Sequence, residues 1–209
     1  MSFRVEEKLL VHKNRLGDFL RWIESEGGDR LHPPRLVSST YFDNIQQAMF
    51  VDSEEGTLPR KKIRIRSYKT ADHSEQDSNL EVKVSSVEGR YKTSKELDVS
   101  ESEKFLQQGY FDSQYGICTP VVRVDYEREY FIIAGMRITI DSCIKYCRVI
   151  GGNRLLLPVT DDSIIVEIKT SASASIDKIQ NKIPFQRVRF SKYCRAVNST
   201  SLGNAFWLI

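Results

Sequence analysis

Arg60-Lys-Lys-Ile-Arg-Ile-Arg66, followed by Ser67 and Tyr68, is the stretch on which the fold turns. Read as a β-strand, its alternation sets Lys62, Arg64 and Arg66 on one face and Ile63 and Ile65 on the other. The aliphatic face can lie on a core. The opposite face carries three cations in a row, which repel one another unless carboxylates or an anion sit across from them. For one such strand taken alone, the ordinary explanation is a solvated edge, where Lys and Arg guard against aggregation.

The same pattern recurs along the chain. Phe3–Val11 sets Arg4, Glu6 and Lys8 against Val5 and Leu9, with Glu7 breaking the alternation. Leu36–Phe42 reads as a strand ending at Asp43, after a Pro33-Pro34 loop. A polar connection over 44–59, with a short helix around Gln46–Val51, leads to the basic strand at about 60–69. After a polar loop over 70–78, Leu80–Val84 alternates again, with Glu81 and Lys83 on its charged face. Glu88-Gly89 is a hairpin signal, and Arg90–Leu97, carrying Lys92, is its return strand. Val121–Ile133 contains Arg123 and Arg128. Gly135 turns that strand into Met136–Asp141, where Arg137, Thr139 and Asp141 oppose Ile138 and Ile140. Ile164–Lys169 sets Glu167 and Lys169 against Val166 and Ile168. Helices are expected from an Asn14 cap to about Glu26, from a Ser100-x-x-Glu103 capping box to near Gly109, over Ser175–Lys182, and after a Ser191 cap.

Strands with one apolar and one charged face suit an open sheet or a closed barrel. Helices before and after the strands, able to cover the outside, favour closure. The expected fold is α+β: a closed antiparallel β-barrel with helices packed outside, one domain over residues 1–209. Its lumen would hold Lys8, Lys62, Arg64, Arg66, Lys83, Lys92, Arg137 and Lys169 against Glu6, Glu81, Asp141 and Glu167. A chain of phosphates is the natural guest, because Arg forks match phosphate oxygens and Lys supplies point charge. Leftover carboxylates would suit Mg²⁺ or Mn²⁺, which bind one or two carboxylates together with phosphate oxygens.

Composition excludes several other classes. The net charge of +3 over 209 residues is too small for bulk electrostatics to act, so a basic site must come from clustering. No apolar run approaches the ~20 residues of a membrane span, and the first residues lack the apolar region expected of a secretory leader. Cys118, Cys143, Cys147 and Cys194 form neither a disulfide framework nor a zinc pattern, which fits reduced thiols in the cytoplasm. His12, His32 and His73 have no triad partners. No phosphate-binding glycine loop, dinucleotide fingerprint, zinc-protease helix or nucleophile elbow occurs. An open basic sheet for nucleic acid would need stacking aromatics on its charged face, and only Tyr68 stands there.

Taken together, Arg4-x-Glu6-x-Lys8, Tyr41-Phe-Asp43, Arg64-x-Arg66, Glu81-x-Lys83, Tyr126-x-Arg128, Arg137-Ile-Thr-Ile-Asp141, Glu167-x-Lys169 and Ser191-Lys-Tyr193 resemble the VTC domain. That is the polyphosphate polymerase domain of the vacuolar transporter chaperone, within the triphosphate tunnel metalloenzyme (CYTH-like) superfamily. The resemblance runs from about residue 3 to 197 and implies a closed β-tunnel. It implies a phosphotransferase that adds the γ-phosphate of ATP, or another nucleoside triphosphate, to polyphosphate with Mn²⁺ or another divalent ion. By motif position, Arg64 and Arg66 would hold nucleotide phosphates. Lys83, Lys92, Arg128, Arg137 and Lys192 would line the phosphate path, and Lys8 would sit at the first strand's phosphate position. Arg4, Lys62, Lys169, Ser191 and Tyr193 would complete substrate binding, with Glu167 and Glu6 at the metal.

Arg128 shares parity with Val122, Val124 and Tyr126, so either a bulge intervenes or Arg123 is the inward residue. The fungal proteins of the family add a phosphate-sensing module and membrane helices, so product translocation is not expected of this chain. Hydrolysis of triphosphate is the competing chemistry. Those enzymes look for Glu-x-Glu-x-Lys on the first strand, and Arg4 replaces the first Glu here. A non-catalytic polyphosphate-binding module would keep the arginines but lose Glu167, which is present.

Overall fold

A computed structural model describes residues 4–69, 75–152, 154–171 and 185–202. The helix expected over Ser175–Lys182 and His73 lie outside them. Eleven strands and four α-helices occur among the described residues, and the α+β class holds. The strands are β1 (Arg4–His12), β2 (Asp29–Asp43), β3 (Arg60–Lys69), β4 (Glu75–Ser86), β5 (Gly89–Leu97), β6 (Tyr110–Asp112), β7 (Gly116–Ile133), β8 (Met136–Ile150), β9 (Arg154–Leu155), β10 (Val159–Asp161) and β11 (Ser163–Ser171). The helices are α1 (Leu16–Ser25), α2 (Ala48–Glu55), α3 (Val99–Gln108) and α4 (Lys192–Leu202).

The hydrogen-bonded order is β1-β11-β8-β7-β2-β3-β4-β5, with β6 on β7 and with β9 and β10 on β8. The pairs β1–β11, β11–β8, β3–β4 and β4–β5 are antiparallel. The expected closed barrel is therefore corrected: the path has two ends, and no β1–β5 ladder joins them among the described residues. At the β1 end the ladder does not stop at bare backbone. Leu10 N donates to Gln186 O and Val188 N to Lys8 O, so an irregular segment covers part of that edge. At the other end, β5 is blunted by Arg90, Lys92 and Lys95 along an exposed strand.

Contacts divide the chain into two compact units, one of residues 1–36, 126–144 and 161–190, the other of residues 37–125, 145–160 and 191–209. In the first, α1 lays Phe19 and Ile23 on a core of Leu9, Val11, Ile138, Ile140, Val166 and Ile168, all almost wholly removed from water. These are the aliphatic faces of β1, β8 and β11, so the period-2 pattern is obeyed there. In the second, Ile63 and Ile65 of β3 and Leu80 of β4 are buried, again as alternation requires. The β7–β8 hairpin turns at Ala134 and Gly135, both with positive φ (46° and 79°), the geometry of a two-residue type I′ turn.

Local boundaries depart from the sequence reading in instructive ways. Strand β2 begins at Asp29 and passes through Pro33-Pro34, where the sequence suggests a loop; its first residues are exposed, where prolines are tolerated. Residues 75–78, expected as loop, are already strand β4. Helix α1 has no side-chain cap: its N-cap position falls on Arg15 rather than Asn14, whose carboxamide oxygen lies 2.8 Å from the His12 ring nitrogen. Helix α3 is capped by Asp98, whose carboxylate accepts from Glu101 N at 2.8 Å, rather than by Ser100. In α4 the Ser191 cap is as expected, accepting from Cys194 N at 3.3 Å.

Candidate functional site

The second unit carries a basic cluster on β3, β4 and β5. The β3–β4–β5 register places Lys62 opposite Lys83 and Lys83 opposite Lys92, so three ammonium-bearing residues lie in one row across three strands. One step along, Arg64 faces Glu81, and next Arg66 faces Asn79. Like charges directly opposite on a sheet are destabilising, and Glu81 is what makes the arrangement tolerable. Its carboxylate, 5% exposed, accepts from Arg64 Nε at 2.7 Å and from Lys92 Nζ at 2.5 Å, with Arg66 Nη1 3.8 Å away. Burial alone would push the Glu81 pKa up; Arg64 foremost, then Arg66 and Lys92, bring it down to about 2. It is a carboxylate at every physiological pH.

The cluster is braced from several elements. Arg64 Nη1 donates to the Tyr41 hydroxyl at 2.9 Å, and Arg66 Nε donates to Ser39 Oγ at 3.3 Å, both from β2. Tyr41 is buried, which raises its pKa, but Arg64, Arg66 and Lys192 lower it below the ordinary tyrosine value. Lys62 Nζ donates to Ser191 Oγ at 2.7 Å, linking β3 to the start of α4. Its pKa is lowered, chiefly by burial, with Arg60 and Lys83 adding repulsion against the favourable pull of Cys194 and Tyr41. Lys192 occupies the first turn of α4 close enough to act on Tyr41. Tyr193 is 1% exposed and stacks on Tyr41, with its hydroxyl donating to Asp43. Asp43 also accepts from Met49 N and Phe50 N at 3.0 Å each. Tyr193 thus ties α4 to β2 and α2 from inside.

The first unit holds the remaining expected residues on the charged faces of β1, β11 and β8. Glu6 lies opposite Lys169 and Lys8 opposite Glu167; Glu167 in turn faces Thr139, and Lys169 faces Arg137. Lys8 Nζ donates to Phe190 O at 2.9 Å and stands 3.9 Å from Glu6. Glu167 pairs with Lys169 at 2.6 Å. Burial pushes the Glu167 carboxyl up, but Lys169 first, then Lys8 and Arg128, bring it down to about 2. Arg128 needs no bulge: it lies buried and forks onto Asp141, with Nε 2.6 Å and Nη2 2.8 Å from the two carboxylate oxygens. Burial lowers its pKa and Asp141 raises it, and the latter wins. Arg123 faces the other way and pairs with Asp125 at 2.9 Å. Arg137 is exposed, and Arg4 is placed opposite Ser171.

The expected residues are therefore gathered in two sets, one within each unit. Lys62, Arg64, Arg66, Lys83, Lys92, Ser191, Lys192 and Tyr193 belong to one; Arg4, Glu6, Lys8, Arg128, Arg137, Glu167 and Lys169 belong to the other. Among the described residues no cluster of three or more His, Cys, Asp or Glu side chains could hold a metal. What the first unit offers is Glu167 with Glu6 diagonal to it on the neighbouring strand. That sparse set fits Mg²⁺ or Mn²⁺, which keep waters and take one or two carboxylates, better than Ca²⁺ or Zn²⁺. Glu81 was read as one of the carboxylates facing the cations, and the structure supplies its partners; Tyr41 and Thr139 entered the sequence reading only by their places in motifs, without a role. Only Glu81 had a usable signal, its alternation with Lys83.

The model of the VTC domain matches residues 3–115 and 110–201. A solved structure from Bacillus halodurans, provisionally named an adenylate cyclase, is 14% identical, with 91% of this chain and 94% of that one covered and a TM-score of 0.59. A Vibrio parahaemolyticus protein with the same provisional name is 13% identical over 91% and 95%, with a TM-score of 0.57. A conserved hypothetical protein from Pyrococcus furiosus is 17% identical over 86% and 85%, with a TM-score of 0.50. These likenesses concern the fold. No curated protein matches the sequence. No helix of the described residues is long and apolar enough to cross a membrane.

Proposed function

The chain belongs to the VTC domain family, and from that membership we propose that it is a polyphosphate polymerase. The terminal phosphoryl group of ATP, or of another nucleoside triphosphate, moves to a terminal oxygen of polyphosphate. One phosphoanhydride P–O bond breaks as another forms, and the nucleoside diphosphate departs. The row Lys62–Lys83–Lys92 carries the reading. Like charges opposed across three strands cost a sheet energy even with Glu81 beside Lys92, whereas linked phosphates would neutralise the whole row at once.

Each residue has a simple part in this. Arg64 and Arg66, held in place by Glu81, Tyr41 and Ser39, present guanidinium forks to phosphate oxygens. Lys83, Lys92 and Lys192 supply charge along the polyanion. In the other unit, Glu167 and Glu6 would hold a divalent ion, with Lys8, Arg128, Arg137 and Lys169 as neighbouring cations. Bound there, Mn²⁺ or Mg²⁺ would offset charge on phosphate oxygens held by that unit's own cations. Phosphoryl transfer asks little else of a protein than positioning and charge neutralisation.

Incubation with ATP and Mn²⁺, with products resolved on a gel, tests this directly. A ladder of long polyphosphate is expected. Orthophosphate alone would make the chain a triphosphatase, and polyphosphate binding without turnover would make it a binding module; either refutes the polymerase.

A further inference from the structure

One polar atom beside Glu167 is unaccounted for. Thr139 is 6% exposed, and among the described residues its hydroxyl has no hydrogen-bond partner. It lies directly across the β8–β11 ladder from Glu167, on the face it shares with Arg137 and Asp141. Ile138 and Ile140, on either side of it in sequence, are wholly buried in the core of the opposite face. Charged groups around it are matched: Asp141 by the Arg128 fork, Glu167 by Lys169. A valine would fill the same volume without burying a hydroxyl, so packing gives no reason for the oxygen.

We propose that the Thr139 hydroxyl is part of the cation seat at Glu167, where it binds a water molecule of a hydrated divalent ion. The proposal rests on the metal role of Glu167. A hydroxyl can donate to phosphate or hold water, and its cross-strand neighbour decides between them. Glu167 directly across and Asp141 two residues on disfavour a phosphate at this hydroxyl, whereas a divalent ion can compete with the Lys169 ammonium for Glu167. Mg²⁺ and Mn²⁺ sites built on one or two carboxylates keep several waters, and these need protein partners. Thr139 is thus a positioning residue that acts through water.

The test uses Mn²⁺ alone, titrated into the full chain, with free ion followed by electron paramagnetic resonance and bound ion by water-proton relaxation. Thr139→Val should weaken Mn²⁺ binding roughly tenfold and alter the relaxation enhancement, while Thr139→Ser stays near wild type. Melting in a chelator should show Thr139→Val at least as stable as wild type, separating loss of a ligand from loss of fold. Wild-type Mn²⁺ affinity in Thr139→Val, with Glu167→Ala losing it, would remove the hydroxyl from the seat and leave Glu167 in place. Undiminished affinity in Glu167→Ala would overturn the metal reading itself. Tripolyphosphate binding in chelator that falls in Thr139→Val, with Mn²⁺ binding intact, would assign the hydroxyl to phosphate instead.

Discussion

Replacing Glu81 with glutamine removes the counter-ion of the basic cluster while keeping its shape. In the folded chain this carboxyl is held at about 2 against an ordinary 4.5. At roughly 1.4 kcal/mol per pKa unit the depression is worth about 3 kcal/mol at neutral pH. Part of that comes through Lys92, whose side chain is 50% exposed, so a loss of about 2 to 3 kcal/mol is expected for Glu81→Gln. A lowered acid pKa stabilises the fold above the unfolded value, and the contribution disappears as pH falls from about 4.5 toward 2. The gap between wild type and variant should therefore be full at pH 7 and close over that acid range. Glu167 titrates in the same window, but it is intact in both proteins and cancels in the difference. Urea denaturation at a series of pH values measures this. A gap below about 1 kcal/mol at neutral pH, or one that stays constant through the acid range, would refute the idea that Glu81 balances Arg64, Arg66 and Lys92.

Two further substitutions probe the same unit. Lys83→Met removes the middle charge of the lysine row; tripolyphosphate binding by calorimetry should weaken roughly tenfold. Asp43→Ala strips an acceptor from Met49 N, Phe50 N and the Tyr193 hydroxyl. Stability should drop by about 2 to 4 kcal/mol, with faster amide exchange concentrated in the first turn of α2.

Where a strand's own alternation decided the matter, the sequence was sufficient. Ile63 and Ile65 inward with Lys62 and Arg64 on the other face is a local fact, and so is the pairing of Val166 and Ile168 with the core. The Arg128–Asp141 fork was also within reach: the two residues stand six positions from Ala134 and Gly135 respectively, so a two-residue turn brings them together. Treating Arg128 by its aliphatic neighbours alone hid this, because on β7 both faces are partly buried. Asp98 lost to Ser100 because both stand three residues before a glutamate, and composition cannot rank them. Closure of the sheet was illegible for a different reason. Whether β1 meets β5 depends on registers and bends accumulated over six intervening strands, which no short motif encodes. Thr139 was placed on the charged face but given no role, because a threonine in a strand is usually there for its branched β-carbon.

The lysine row also acts as a ruler. Neighbouring strands lie about 4.8 Å apart, so the backbones bearing Lys62 and Lys92 are separated by two strand spacings, with Lys83 midway. A solitary phosphate can satisfy one or two of these heads by drawing flexible stems toward it, at the expense of side-chain freedom. A guest several units long meets them where they already stand. On the proposed function, affinity should climb as the oligomer grows to the width of the row and level off once every head is served, which calorimetry with phosphate, pyrophosphate and tripolyphosphate would measure.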